Sequence, residues 1–176
     1  MAESNRMVEK SKKAIKDALL TIMYEKGIDG ITVGEVIQRA NVSRGTFYAH
    51  FKNLEDVRQQ LINDLYITAD KYLEGYTPSD LAEDPYPVML RVAEILYKSH
   101  DPAQRMFRFI NVYYLGLNLK DWLTNFILQD ENIVARFGGP ETAPAYVRYI
   151  AGGITYAYNM WILDDFPTPP EVFAEA

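Results

Sequence analysis

The chain has 176 residues, no cysteine and only two histidines, His50 and His100. Disulfides, thiol nucleophiles, iron–sulfur clusters and cysteine zinc sites are thereby excluded, and a histidine-rich metal centre lacks ligands. Hydrophobic residues make up 48% and charged residues 24%, a globular composition whose formal net charge of −6 is unevenly spread.

Residues 1–60 carry 10 Lys+Arg against 8 Asp+Glu, whereas residues 61–176 carry 8 against 16. A mildly basic head therefore precedes an acidic remainder, and the field of such a chain should turn the head toward a polyanion. The opening residues, MAESNRMVEKSKKAIKD, are charged throughout and unlike a secretory signal. The longest apolar-looking run, YIAGGITYAYNMWIL at 149–163, falls short of the ~20 residues that span a bilayer. A cytoplasmic protein without membrane contact is expected.

Ile15, Ala18, Leu19, Ile22 and Met23 recur at helical spacing and predict a first helix with one apolar stripe, stopped near Gly27. Lys10, Lys12, Lys13 and Lys16 crowd the same helix. After the loop GIDGI, Thr32 stands three residues before Glu35, a capping-box pattern, and Val36, Ile37 and Ala40 supply the next apolar face. That helix ends at Asn41, a residue type that tolerates a left-handed backbone, and Ser43 can cap a third helix at once. Two short helices joined by about three residues form a helix-turn-helix.

Asn53 can cap a fourth helix, with Glu55 and Asp56 in its first turn and Val57, Leu61, Leu65, Ala69 and Leu73 on its apolar side. GYTPSDLAEDPYP, 75–87, contains three prolines and reads as a loop. Further helices are predicted at roughly 86–99, 102–116 and 118–131, then a break at FGGPETAP, then a long helix at roughly 142–163. The tail DDFPTPPEVFAEA is expected to end in a short turn or to fray.

The third helix, NVSRGTFYAHFK at 41–52, carries the chemistry. Phe47 and Phe51 are four apart and face inward, whereas Gly45, Thr46 and Ala49 leave the opposite face shallow. Arg44, Tyr48 and His50 flank this ridge, and Lys52 follows it. Such a helix fits a DNA major groove: small side chains permit close approach, Thr46 can meet a thymine methyl, and Arg44 can donate two bonds to guanine. Tyr48 and Lys52 can reach phosphates. The plainer alternative is a surface helix with two core phenylalanines.

The segment ITVGEVIQRANVSRGTFYAHFKNLEDV, 31–57, closely resembles the DNA-binding segment of the TetR family of bacterial transcriptional regulators, with the resemblance extending over about residues 8–60. It implies an all-α protein: a three-helix helix-turn-helix head, taken as 1–52, and a helical body for effector binding and dimerisation, taken as 53–176. Carried over by position, Thr32 and Val33 match the phosphate-facing start of the second helix. Ser43, Arg44, Gly45 and Thr46 match the cap and base-reading positions, and Tyr48, His50 and Lys52 the groove-edge and phosphate positions. Two departures stand out. Asn41 replaces the usual turn glycine, and Leu54 occupies a position where the family commonly has a phosphate-contacting lysine. Weaker affinity, or compensation by first-helix lysines such as Lys12 and Lys16, is the expectation.

The body holds 11 of the 13 tyrosines and both tryptophans. An effector pocket lined by some of Phe109, Tyr113, Tyr114, Leu117 and Trp122 would suit an apolar or aromatic small molecule; ordinary core packing would use the same residues. Ile150, Gly153, Ile154, Tyr158 and Trp161 follow helical steps on the last long helix, which in TetR-like proteins forms the homodimer interface. The expected partners are thus a double-stranded DNA operator, a second copy and an effector, with no cofactor and no metal. No phosphate loop, nucleophile elbow or metalloprotease motif is present, so an enzyme is not expected. The alternative is a TetR-like protein that acts through a protein partner.

Overall fold

The computed structural model describes residues 2–27, 29–98 and 116–176. The described residues are helical, with no strand among them, and form two compact units, Met1–Asp64 and Leu65–Ala176. The division falls inside the fourth helix, and Val57 and Leu61 on its opening turns are buried residues of the first unit.

The first unit contains α1 (Ala2–Lys26), α2 (Val33–Ala40), α3 (Arg44–His50) and the start of α4 (Leu54–Tyr72). Ile15 and Leu19 of α1, Val36 of α2, Phe47 of α3 and Val57 of α4 are completely buried, and Phe51 nearly so. Each large apolar side chain removed from water contributes about 1.5–3 kcal/mol. Short helices of this kind are not stable alone, so the shared core holds them. Alpha 1 packs on both α2 and α3.

Local chemistry sets the turns. The Thr32 hydroxyl accepts the Glu35 amide while the Glu35 carboxylate accepts the Thr32 amide, completing the capping box. Asn41 closes α2 at φ 51°. Its amide donates to Gln38 O, and the Val42 amide donates to Ile37 O, the paired bonds of a left-handed helix stop. Ser43 then caps α3 through the Thr46 amide at 2.9 Å.

In the second unit the prolines of 75–87 start helices instead of breaking them. Pro78 opens α5 (Pro78–Glu83), which Thr77 and Asp80 cap in a second capping box, and Pro85 opens α6 (Pro85–Lys98). Proline is tolerated in a first turn because its missing N–H would have had no helical partner. The loop expectation for this stretch is therefore corrected. Helix α7 (Gly116–Leu128) is followed by α8 (Glu131–Arg136), separated from it by Asp130. One Asp130 oxygen accepts the Asn132 and Ile133 amides, and the other accepts the Ser79 hydroxyl at 2.6 Å, tying α5 to α8. The Ser79 hydroxyl bond, first among these, holds the Asp130 carboxyl below its ordinary range.

The long α9 (Ala143–Leu163) packs along α7, and Leu123, Ile127, Ile133, Val147 and Ala151 form one core cluster. A second cluster joins α6, α9 and the segment beyond it: Ala93, Tyr158, Trp161 and Phe166 are buried together. The Tyr158 hydroxyl donates to Met89 O, and burial pushes its phenol pKa upward, so it remains a donor. The tail does not fray. Residues Pro170–Glu175 form α10, packed on α6.

Candidate DNA-binding surface

Alpha 3 has two distinct faces. Phe47 and Phe51 are turned into the core, their rings 6.0 Å apart, and the Phe47 ring meets the Tyr48 ring edge-on at 5.3 Å. Arg44, Gly45, Ala49 and Lys52 are exposed, Tyr48 is half exposed, and Thr46 and His50 are intermediate. A Cβ placed on Gly45 would meet only Ser43 Oγ, at 3.7 Å, an ordinary contact. The shallow ridge therefore faces outward and its flanks carry two cations and a phenol.

The Ser43 and Thr46 hydroxyls lie 2.8 Å apart, which ties the Thr46 side chain back to the helix start. Thr32 is equally committed. Its amide and its hydroxyl both donate to Glu35 Oε2, at 2.7 and 2.9 Å. Among the described residues these Thr32 donors are engaged in the capping box, and the amides of Val33 and Gly34 lie at the positive end of α2. The Lys52 amide donates to Asp56, leaving the ammonium outside this bond.

Two ion pairs not foreseen from sequence fasten α1 to α2. Arg39 donates to both Glu25 oxygens, and Lys26 reaches Glu35. The Lys26 ammonium first, then the Thr32 amide and hydroxyl, hold the Glu35 carboxyl at about 2, below its ordinary 4.5. The capping box was visible in the sequence; its third partner, nine residues upstream, carried no pattern signal.

The first-helix lysines are less available than expected. Lys16 is bonded to Asp64 at 2.6 Å and its side chain is only 16% exposed. This ion pair fastens α1 to α4 within the first unit. Lys12 pairs with Glu9 on its own helix.

This arrangement matches a known one. The family model for bacterial regulatory proteins of the tetR family fits residues 15–61, from Ile15 within α1 through α2 and α3 to Leu61 within α4. The head matches the TetR-family model. Curated relatives agree: a Bacillus subtilis HTH-type transcriptional regulator, YxbF, is 34% identical over 59 residues, 33% of this chain and 16% of its own length. Another from the same organism, YvkB, is 29% identical over 96 residues, 54% of this chain and 50% of its own length. The chain thus spans half or less of the curated relatives it matches. Two solved structures share the whole fold at 19% identity. A TetR transcriptional regulator of Streptococcus agalactiae has TM-score 0.65 over 99% of this chain and 94% of its own. NalD of Pseudomonas aeruginosa, the secondary repressor of the MexAB-OprM multidrug efflux pump, has TM-score 0.61 over 96% and 92%.

The body residues fare unevenly. Phe109, Tyr113 and Tyr114 lie outside the described residues, and Leu117 lies on α7. Trp122 stacks on Phe126 at 5.7 Å and donates its indole N–H to Asp70 at 2.9 Å. On α9, Tyr158 and Trp161 are corrected as interface residues, because both are buried within the unit, and Ile154 packs between its two clusters. Ile150 and Gly153 are exposed, in line with Tyr146, Tyr149, Tyr156 and Met160. No described helix is long and apolar enough to cross a membrane, and no described group of three or more His, Asp or Glu side chains is arranged to hold a metal ion.

Proposed function

We propose that this protein is a one-component transcriptional regulator that binds a palindromic operator as a homodimer and is released by a small apolar or aromatic effector. The outward ridge of Gly45 and Ala49, bordered by Arg44, Tyr48 and Lys52 on a TetR-family head, carries the reading. Repression is the direction taken by NalD, and we extend it to this chain. Arg44 reads a base edge, Tyr48 and Lys52 hold phosphates, and the Val33 and Gly34 amides supply a further phosphate seat. Effector residues are drawn from the aromatic set that includes Trp122.

Operator selection from random duplexes followed by binding titrations tests this. Arg44→Ala should weaken binding by about 1–3 kcal/mol and relax preference at one base pair, whereas Lys52→Ala should weaken all sequences alike and reduce the salt slope by about 1. Failure to enrich any duplex sinks the proposal and favours action through a protein partner.

The dimer rests on α9. Its exposed residues Tyr146, Tyr149, Ile150, Gly153, Tyr156 and Met160 recur at three- and four-residue steps, an apolar stripe that packing inside the unit leaves open. A two-fold pair doubles the contacts on a palindrome. Light scattering at micromolar concentration should give a dimer for the parent protein and a monomer for Tyr149→Glu. Tyr149 is 84% exposed, so the unit's own fold should tolerate the charge. A monomeric parent, or an unaffected dimer in the variant, overturns this interface.

A further inference from the structure

The segment after α9 is built in an unusual way. Asp165 and Phe166 are consecutive non-glycine residues with left-handed backbone, φ 60° and 57°. The Phe166 amide donates to Trp161 O and the Asp165 amide to Ile162 O, so the pair forms the stop of α9. A bulky aromatic residue adopts such a φ only where its surroundings enforce it. Here the Phe166 ring is held edge-on by Trp161 at 4.6 Å and by Tyr97 at 5.5 Å.

Beyond this bend the chain runs through Pro167, Thr168 and Pro169 into α10, six residues long and without a side-chain cap. A helix this short has no stability of its own. Pro170 is buried and Val172 is 52% exposed. The aromatic anchor is Phe173, whose ring lies nearly parallel to Trp161 at 4.5 Å and 18°, and tilted on Tyr158 at 4.8 Å. The same segment supplies the hydrogen-bond acceptor for the tryptophan: the Trp161 indole N–H donates to Thr168 O at 3.0 Å. The Tyr158 hydroxyl, by contrast, is satisfied by Met89 O on α6, and Met89 Sδ lies 3.6 Å from it.

We propose that Phe173 is the resident occupant of an aromatic binding seat, floored by Trp161 and walled by Tyr158 and Met89, which admits a planar aromatic molecule carrying a neutral hydrogen-bond acceptor when residues 167–176 lift away. The chemical class follows from what the segment now provides. It gives the seat one flat ring and one carbonyl oxygen. Lifting it removes both, and a ligand that covers the indole N–H again must bring an acceptor in place of Thr168 O, which an apolar hydrocarbon lacks and an aryl ketone has. The segment is suited to lift because its helix is short and its bend holds a strained residue. This seat is separate from the residues expected to line an effector pocket, and its test reads binding without reference to DNA.

The test uses the full-length chain in a Trp122→Phe background, where Trp161 is the sole tryptophan. Titration with 2-acetylnaphthalene should quench Trp161 fluorescence saturably with one site. Phe173→Ala should tighten that binding about tenfold, because the seat is no longer occupied by the chain. The isosteric 2-isopropenylnaphthalene, without the acceptor, should bind about fivefold more weakly than the ketone. In the parent protein, hydrogen exchange across residues 170–175 should accelerate when the ketone is added. That measurement stands even if Phe173→Ala does not fold. Unchanged exchange, or a folded Phe173→Ala that binds no better than the parent, overturns the proposal. Equal binding of ketone and hydrocarbon overturns the acceptor assignment.

Discussion

Phe47→Ala should destabilise the head by about 3–5 kcal/mol and abolish operator binding with it. The Phe47 ring is completely buried, and it sits among the largest fully buried side chains of the first unit. Truncation removes the transfer free energy of the ring and leaves a cavity whose lining loses its contacts. The surroundings are poorly placed to collapse into it. Alpha 3 has seven residues, so it cannot move as a stable body of its own, and the Phe51 ring on the next turn is itself held in the core. The first unit is small, and small domains sit at the low end of the usual 5–15 kcal/mol of stability. A loss of this size therefore removes most of what holds the head. Hydrogen exchange of the α3 and early α4 amides gives the readout, and protection there should approach that of an unfolded chain. Phe47→Leu, which keeps most of the volume, should retain protection. If Phe47→Ala leaves exchange in 44–61 within about threefold of the parent, a loss of less than ~1 kcal/mol, the inward face of α3 has been misjudged.

The head was legible because its determinants are local. Thr32 and Glu35 lie three apart, Ser43 lies three before the amide it caps, and Phe47 and Phe51 share a face by helical geometry alone. Asn41 was readable as a stop for the same reason, and the backbone there is left-handed as expected. What could not be read depends on distance or on competing local rules. Lys16 finds Asp64 forty-eight positions away, and no spacing rule links them. Thr77 and Asp80 form a capping box as clear as the first, yet the prolines around them read as breakers by composition, although a proline in the first turn costs a helix nothing. The six residues of α10 owe their order to Phe173 meeting Trp161 and Tyr158, a contact made by folding and absent from any propensity. On α9 the difficulty was different. Apolar and aromatic residues surround nearly the whole helix, so three- and four-residue steps select more than one stripe. Tyr158 and Trp161 fit such a stripe but are buried, while Tyr149 and Tyr156 lie on the exposed one. Burial, not spacing, separates the two faces.

Ala49→Leu should leave the head folded and lower operator affinity on the order of 100-fold, through loss of close approach rather than loss of a bond. Ala49 is exposed on α3, on the side opposite the buried phenylalanines. Leucine is nearly as good a helix former as alanine, so the substitution changes local stability by only a few tenths of a kcal/mol. What it adds is about three carbon atoms of height in the middle of the ridge. A major groove admits a helix only if its central residues are short enough to let the flanking side chains reach base edges and phosphates. Raising the centre lifts Arg44, Tyr48 and Lys52 together, and the loss of two or more such contacts at about 1–3 kcal/mol each accounts for the expected fall. Non-specific binding, which depends on phosphates alone, should fall much less. Glu55→Leu, an equally exposed position on α4, serves as the control for added surface hydrophobicity and should not reproduce the effect. Fluorescence anisotropy on the selected operator and on a scrambled duplex, alongside thermal melts of both variants, separates these terms. An Ala49→Leu protein that melts like the parent and binds the operator within twofold of it would remove α3 from the groove, whatever else the head contacts.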